Sequence, residues 1–126
     1  MNMKQLIGYI RGQMRFDFYA NEFPRSVKTD CGFVRLEGGT PPDIYIPNFR
    51  TTGIQILIRH KDVEQATILA KEIWDLFHAK EHYYIGDYEI KLSACNQPEP
   101  IYVGTDKNER TIFSVNITCH YVDWNN

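Results

Sequence analysis

Long hydrophobic runs are missing from this chain. Nothing in its 126 residues approaches the ~20 consecutive apolar residues that a membrane-spanning helix needs. The first residues, Met1-Asn2-Met3-Lys4-Gln5, lack the extended apolar core of a secretory leader, so synthesis and use in the cytoplasm are expected. An excess of one charge is missing too. Fourteen Lys and Arg stand against sixteen Asp and Glu, a formal net charge of −2, with no run of like sign. A general nucleic-acid binder would carry a clustered basic excess, so that class is disfavoured. Cysteine is sparse: Cys31, Cys95 and Cys119 are odd in number and widely spaced, which gives neither a disulfide framework nor a zinc site. Cys119 falls on the apolar face of a strand and is expected to be a buried small hydrophobe.

Catalytic signatures are absent as well. Gly38-Gly39-Thr40 lacks the GxxxxGK[ST] frame of a phosphate loop, and no serine sits in a GxSxG elbow. His78 and His82 stand four apart, the spacing of a helical zinc pair, but no HExxH pattern surrounds them and no third ligand can be named. A solvated helix end suits His78 better, because a helix C-terminus favours a cation. Paired carboxylates can do acid–base work when their environments differ. Asp106-Lys107-Asn108-Glu109-Arg110, however, has the composition of a solvated hairpin turn. The expectation is no catalytic residue, no cofactor and no metal. A small enzyme using residues 106–110 with His60 or His120, and a small ligand-binding domain, are the alternatives of a different class.

What is present is periodicity. Along residues 111–121, Phe113, Val115, Ile117, Cys119 and Tyr121 fall on one face, and Ser114, Asn116, Thr118 and His120 on the other. A period of two marks a half-buried antiparallel strand. Gly53 to His60 is a second strand, with Ile54, Ile56 and Ile58 pointing one way. Residues 62–79 form the strongest helix: Val63, Ala66, Leu69, Ala70, Ile73, Trp74 and Phe77 make one stripe, Asp62 can cap the first turn, and Glu64, Lys71 and Asp75 face out. Residues 3–14 form a first helix through Leu6, Ile7, Ile10 and Met14, weakened by Gly8 and Gly12. Residues 31–36 are a short strand. Residues 83–92 form a hairpin around Gly86-Asp87, with Tyr88, Ile90 and Leu92 on one face. Residues 15–30 are read as a loop with some irregular strand. One domain of 126 residues is expected, of α+β class: a mainly antiparallel sheet of about five to six strands with two helices on one face.

Residues 37–52 hold Gly38-Gly39, Pro41-Pro42 and Pro47, so a long loop is expected there. Ile44, Tyr45, Ile46 and Phe49 are too apolar for a free loop, and the segment is expected to dock on something. Seventeen aromatic residues are more than one small core takes in at once. Aromatic residues and arginine are enriched at protein interfaces. Tyr45, Phe49, Arg50, Arg59 and Trp124 are therefore the candidate interface residues.

Two stretches resemble phage tail terminator proteins, a family also labelled minor capsid or tail completion proteins. One is Gly53-Ile54-Gln55-Ile56-Leu57-Ile58-Arg59 with Lys61-Asp62 and a helix carrying Ala66 and Ala70. The other is Pro100-Ile101-Tyr102-Val103-Gly104-Thr105-Asp106, its polar turn with Arg110, and the alternating strand to Asn116. The resemblance covers roughly residues 31–122. It implies a structural virion subunit, assembled in the host bacterial cytoplasm, that forms a hexameric ring. The ring caps the tail tube, ends its polymerisation and offers a surface for joining the head. The implied partners are further copies of the chain, the tail tube protein and a head-completion protein, with DNA only passing through the ring. A head-completion or connector adaptor is a close alternative. No catalytic residue belongs to that role.

Overall fold

A computed structural model describes residues 1–25 and 29–124. The elements run α1 (Met3–Gln13), β1 (Phe18–Ala20), β2 (Cys31–Gly39), β3 (Phe49–His60), α2 (Val63–Phe77), β4 (Lys80–Ile85), β5 (Tyr88–Cys95), β6 (Ile101–Thr105) and β7 (Thr111–Asp123). Seven strands form one sheet in the order β1-β2-β3-β7-β5-β4, and β6 also pairs with β7. Every pairing is antiparallel except β1 with β2. The fold is α+β, with one strand more than the five to six expected. The additional strand is β1, which lies in the stretch read as a loop; residues 26–28 of that stretch lie outside the described residues.

The alternation of the sequence builds the core. Register sets Val34 opposite Ile56 and Ile56 opposite Val115, and Ile54 opposite Ile117. These side chains share one sheet face and are buried against Leu6 and Ile10 of α1 and Ala70, Ile73 and Phe77 of α2. Small Ala66 and Ala70, both fully buried, let α2 approach the sheet closely. Val63, at the first turn of that stripe, is exposed instead.

α1 forms despite its glycines. Gly8 and Gly12 cost about 1 kcal/mol each relative to alanine. Full burial of Leu6 and Ile10 returns roughly 1.5–3 kcal/mol each, and the Asn2 side chain caps the first turn by accepting from the Gln5 N–H. Packing wins. The helix touches both sides of the sheet: Arg11 Nη2 donates to the Phe18 carbonyl at 2.8 Å, and Lys80 Nζ donates to Tyr9 Oη at 2.8 Å. β1 and β4 are opposite margins, so the sheet curls around the helix layer.

α2 begins at Asp62, whose Oδ1 accepts from the N–H groups of Glu64 and Gln65. It ends at Phe77, and His78 caps it. The hairpin turns at Gly86 with φ 57°, as the first position of a type II′ turn requires.

Two features break the simple alternation. In β5 the register against β7 shifts between Ile90 and Leu92. The extra residue turns Leu92 to the outer face, where it is exposed, and turns Ser93 inward. Buried Ser93 Oγ donates to the Phe77 carbonyl at 2.7 Å and sits 2.6 Å from Tyr83 Oη. Second, the expected loop at 37–52 is shorter. Residues 37–39 extend β2 and residues 49–52 extend β3, leaving 40–48 as the connection.

Candidate assembly surface

Residues 40–48 form an ordered hook at one end of the sheet. Asp43 Oδ1 accepts from the N–H groups of Tyr45 and Ile46, both at 2.8 Å. The Phe49 N–H donates to the Ile46 carbonyl at 2.9 Å, and the Arg50 Nε donates to the Pro47 carbonyl at 3.0 Å. The Asp123 N–H donates to the Asn48 carbonyl at 2.9 Å, tying the hook to the end of β7. With its backbone held this way, the hook turns its apolar side chains outward: Ile44 is 88% exposed, Tyr45 91% and Ile46 58%.

Trp124 stands at the same end, 62% exposed, with its Nε1 donating to Glu89 Oε1 at 3.0 Å. Phe49 and Arg50 are half-buried at the root of the hook. Tyr45, Phe49, Arg50 and Trp124 therefore come together. Arg59 does not. It lies toward the far end of β3 and is only 7% exposed. Its guanidinium covers the Phe23 ring at 4.4 Å and reaches Asp106 at 3.9 Å, so it serves the interior of its own fold.

That far end holds the turn read as solvated. Asp106 Oδ1 accepts from the N–H groups of Asn108 and Arg110, and Oδ2 from Arg110 Nε at 2.8 Å. Arg110 is buried, and its Nη1 donates to the Thr29 carbonyl at 2.8 Å. Burial pushes the Asp106 carboxyl up, but the backbone N–H groups of Arg110 and Asn108 and the Arg110 side chain outweigh it, leaving the group below its ordinary value. Composition marks this segment as a turn; the second arginine, 51 positions away in the chain, is what no local reading reaches.

A second apolar area follows β6. Ile101, Tyr102 and Val103 are exposed there, and Tyr102 meets Phe113 edge to face at 5.9 Å. A groove of about 500 Å³ runs between this strand and α2, lined by Thr67, Lys71, Pro98, Pro100, Tyr102 and Phe113, with Glu99 at its rim. The sequence places Lys71 facing outward, but gives no sign of the groove, which needs a helix and a strand about thirty positions apart.

Among the described residues, no group of three His, Cys, Asp or Glu is placed to hold a metal ion. His78 Nδ1 accepts from the Cys95 N–H, and exposed His82 lies on β4, so the two histidines do not form a helical pair. His60 lies 3.4 Å from Asp30, and His120 lies 2.9 Å from Thr51 Oγ1. Burial raises all three thiols, Cys95 and Cys119 to about 12, which keeps them protonated at neutral pH. No helix of the described residues is long and apolar enough to cross a membrane.

A family model described as "Bacteriophage tail terminator protein" matches residues 6–123 of the chain. No curated protein matches it, and no solved structure does.

Proposed function

We propose that this chain, which belongs to the bacteriophage tail terminator family, closes with further copies of itself into a ring, with six subunits as the expected number. The family is structural, a component of the virion that meets other tail or head proteins. In the proposed role the ring assembles in the host cytoplasm, seats on the end of the finished tail tube, ends its polymerisation and presents a face to the head-completion protein. DNA passes through the lumen; a net charge of −2 is compatible with a passage that does not grip it.

One observation carries the reading. The apolar hook at 40–48 is braced by its own hydrogen bonds and yet, among the described residues, leaves Ile44, Tyr45 and Ile46 exposed. A solvent-facing Ile-Tyr-Ile costs solubility, and a large exposed apolar patch on a small protein marks a contact surface. The bracing also reduces the ordering cost of binding, as a preformed contact element should.

The test mixes purified protein with the tail tubes of its own phage. The expected result in negative-stain images is a ring-sized cap on one tube end and an arrest of further tube growth. Tubes that elongate unchanged, with no protein on their ends, overturn the reading. Binding to DNA-filled heads but not to tubes would reassign the chain as a head-completion adaptor.

A further inference from the structure

We propose that the hook of one subunit seats in the groove beside Tyr102 of a second copy of this chain, so that ring closure runs head to tail through hook and groove. The proposal rests on the ring reading above and adds the residues that make the contact.

The two halves of the contact match in chemistry. The hook offers Ile44, Tyr45 and Ile46, exposed and held outward. The groove offers proline and aromatic walls in a space of about 500 Å³, which is the setting in which an aromatic anchor loses its water and dominates binding energy. Each half also carries charge at its margin. Asp43 and Arg50 flank the hook; Glu99 and Lys71, the latter bonded to Asp75 Oδ1 at 2.9 Å on the solvent side of α2, flank the groove. Asp43 against Lys71 and Arg50 against Glu99 would fix the orientation, since rim charges select partners more than they add affinity.

A hook cannot fill its own groove. Phe49 pairs with Val122, and Tyr102 pairs with Phe113. Those two points on β7 differ by 122 − 113 = 9 residues, about 30 Å of strand at ~3.3 Å per residue. The occupant therefore belongs to another molecule. A contact between two different patches of the same chain is heterologous, and repetition of such a contact closes into a ring when the rotation allows.

The sheet margins point the same way. β1 has three residues, and β4 has an irregularity at His82, where φ is 55° and the side chains of Glu81 and His82 are exposed. Short, bulged or charged margins resist pairing with another chain. β6 also breaks register against β7 between Tyr102 and Gly104, but its exposed side chains Ile101, Tyr102 and Val103 carry no charge. That uncharged stretch suits a neighbour better than the charged β4 margin does.

The test is a disulfide trap. Tyr45→Cys and Thr67→Cys are combined in one chain, oxidised, and run on a non-reducing gel beside a control pair, Tyr45→Cys with Lys107→Cys. The expected result is a covalent ladder ending at one closed size for the first pair, and a hetero-dimer when the two single variants are mixed. In parallel, sedimentation of wild type and Tyr45→Ser over a concentration series should show association weakened about tenfold or more by the substitution, as for a buried interface anchor. If wild type forms closed multimers while the trap links no better than its control and Tyr45→Ser associates normally, the hook-in-groove seat is wrong and the ring reading stands. If neither multimers nor cross-links form at any concentration, on tubes or free, both fall together.

Discussion

At position 106 a single carboxylate serves three hydrogen-bond donors and lies against a further guanidinium. Arg59 and Arg110 are both buried, and desolvated cations are tolerated only beside an anion. Asp106→Asn keeps an acceptor for the turn but sets an amide N–H₂ against the Arg110 Nε–H. The expected cost is about 1–3 kcal/mol in urea denaturation, the range for one buried hydrogen-bond donor left unmatched. The pH dependence has a defined sign. The folded carboxyl titrates below its ordinary value of 3.8, so its contribution is complete above that value and is lost as pH falls through the lower, folded one. Wild type should therefore lose stability on acidification below 3.8, and Asp106→Asn should show a shallower acid limb; parallel limbs would remove Asp106 from that role. Asp106 and Arg110 can be seen in the sequence as a turn, because Asp bonds its own backbone two residues on. Their pairing with Arg59 cannot, because it depends on the register of β3 beside β7.

Among the elements, those with internal periodicity are the ones legible from sequence. α2, β3 and β7 each repeat their pattern over several turns or pleats, and their buried faces are Ala66, Ala70, Ile73 and Phe77; Ile54, Ile56 and Ile58; and Val115, Ile117, Cys119 and Tyr121. β1 is illegible because three residues are too few to show a period, and its partner lies beyond a crossover. The β5 irregularity is illegible for a different reason: Tyr88, Ile90 and Leu92 continue an apolar alternation that the backbone abandons after Ile90. The hook was legible in its apolar residues, but not in its length, since β2 and β3 run on into the Gly- and Pro-rich stretch. Gly39 makes that transition. Its φ is 140°, and a Cβ there would collide with the Thr51 carbonyl oxygen, whereas a Cβ on neighbouring Gly38 meets nothing within 4 Å. Gly39→Ala should cost about 1–3 kcal/mol, as forcing a side chain into a glycine-only backbone region does. Gly38→Ala should stay within about 0.5 kcal/mol of wild type. Equal denaturation midpoints for the two variants would mean that the hook does not depend on this turn.

For the molecule as a whole, folding and assembly draw on different residues. The core is complete without the hook, Trp124 or the outer side chains of β6, all of which stay at the surface. Variants there should leave the isolated subunit as stable as before while changing what it joins. The two tryptophans make this measurable. Trp74 is half-buried on α2, with its Nε1 donating to the Gln97 carbonyl at 3.0 Å. Trp124 is open to solvent beside the hook, since Asn48 and Asp123 are joined by a backbone hydrogen bond of 2.9 Å. If the hook end enters a neighbour, Trp124 loses water, while Trp74, which lies under Lys71 at 4.1 Å beside the groove, senses only the groove side of the contact. Assembly on tail tubes should then shift the emission to the blue and lower its quenching by acrylamide. Trp124→Phe should remove the Trp124 share of that change while altering the unfolding midpoint by no more than about 0.5 kcal/mol, as surface substitutions do. An assembled ring in which Trp124 stays as quenchable as in the free subunit would place the contact elsewhere on the molecule and leave the hook end facing solvent.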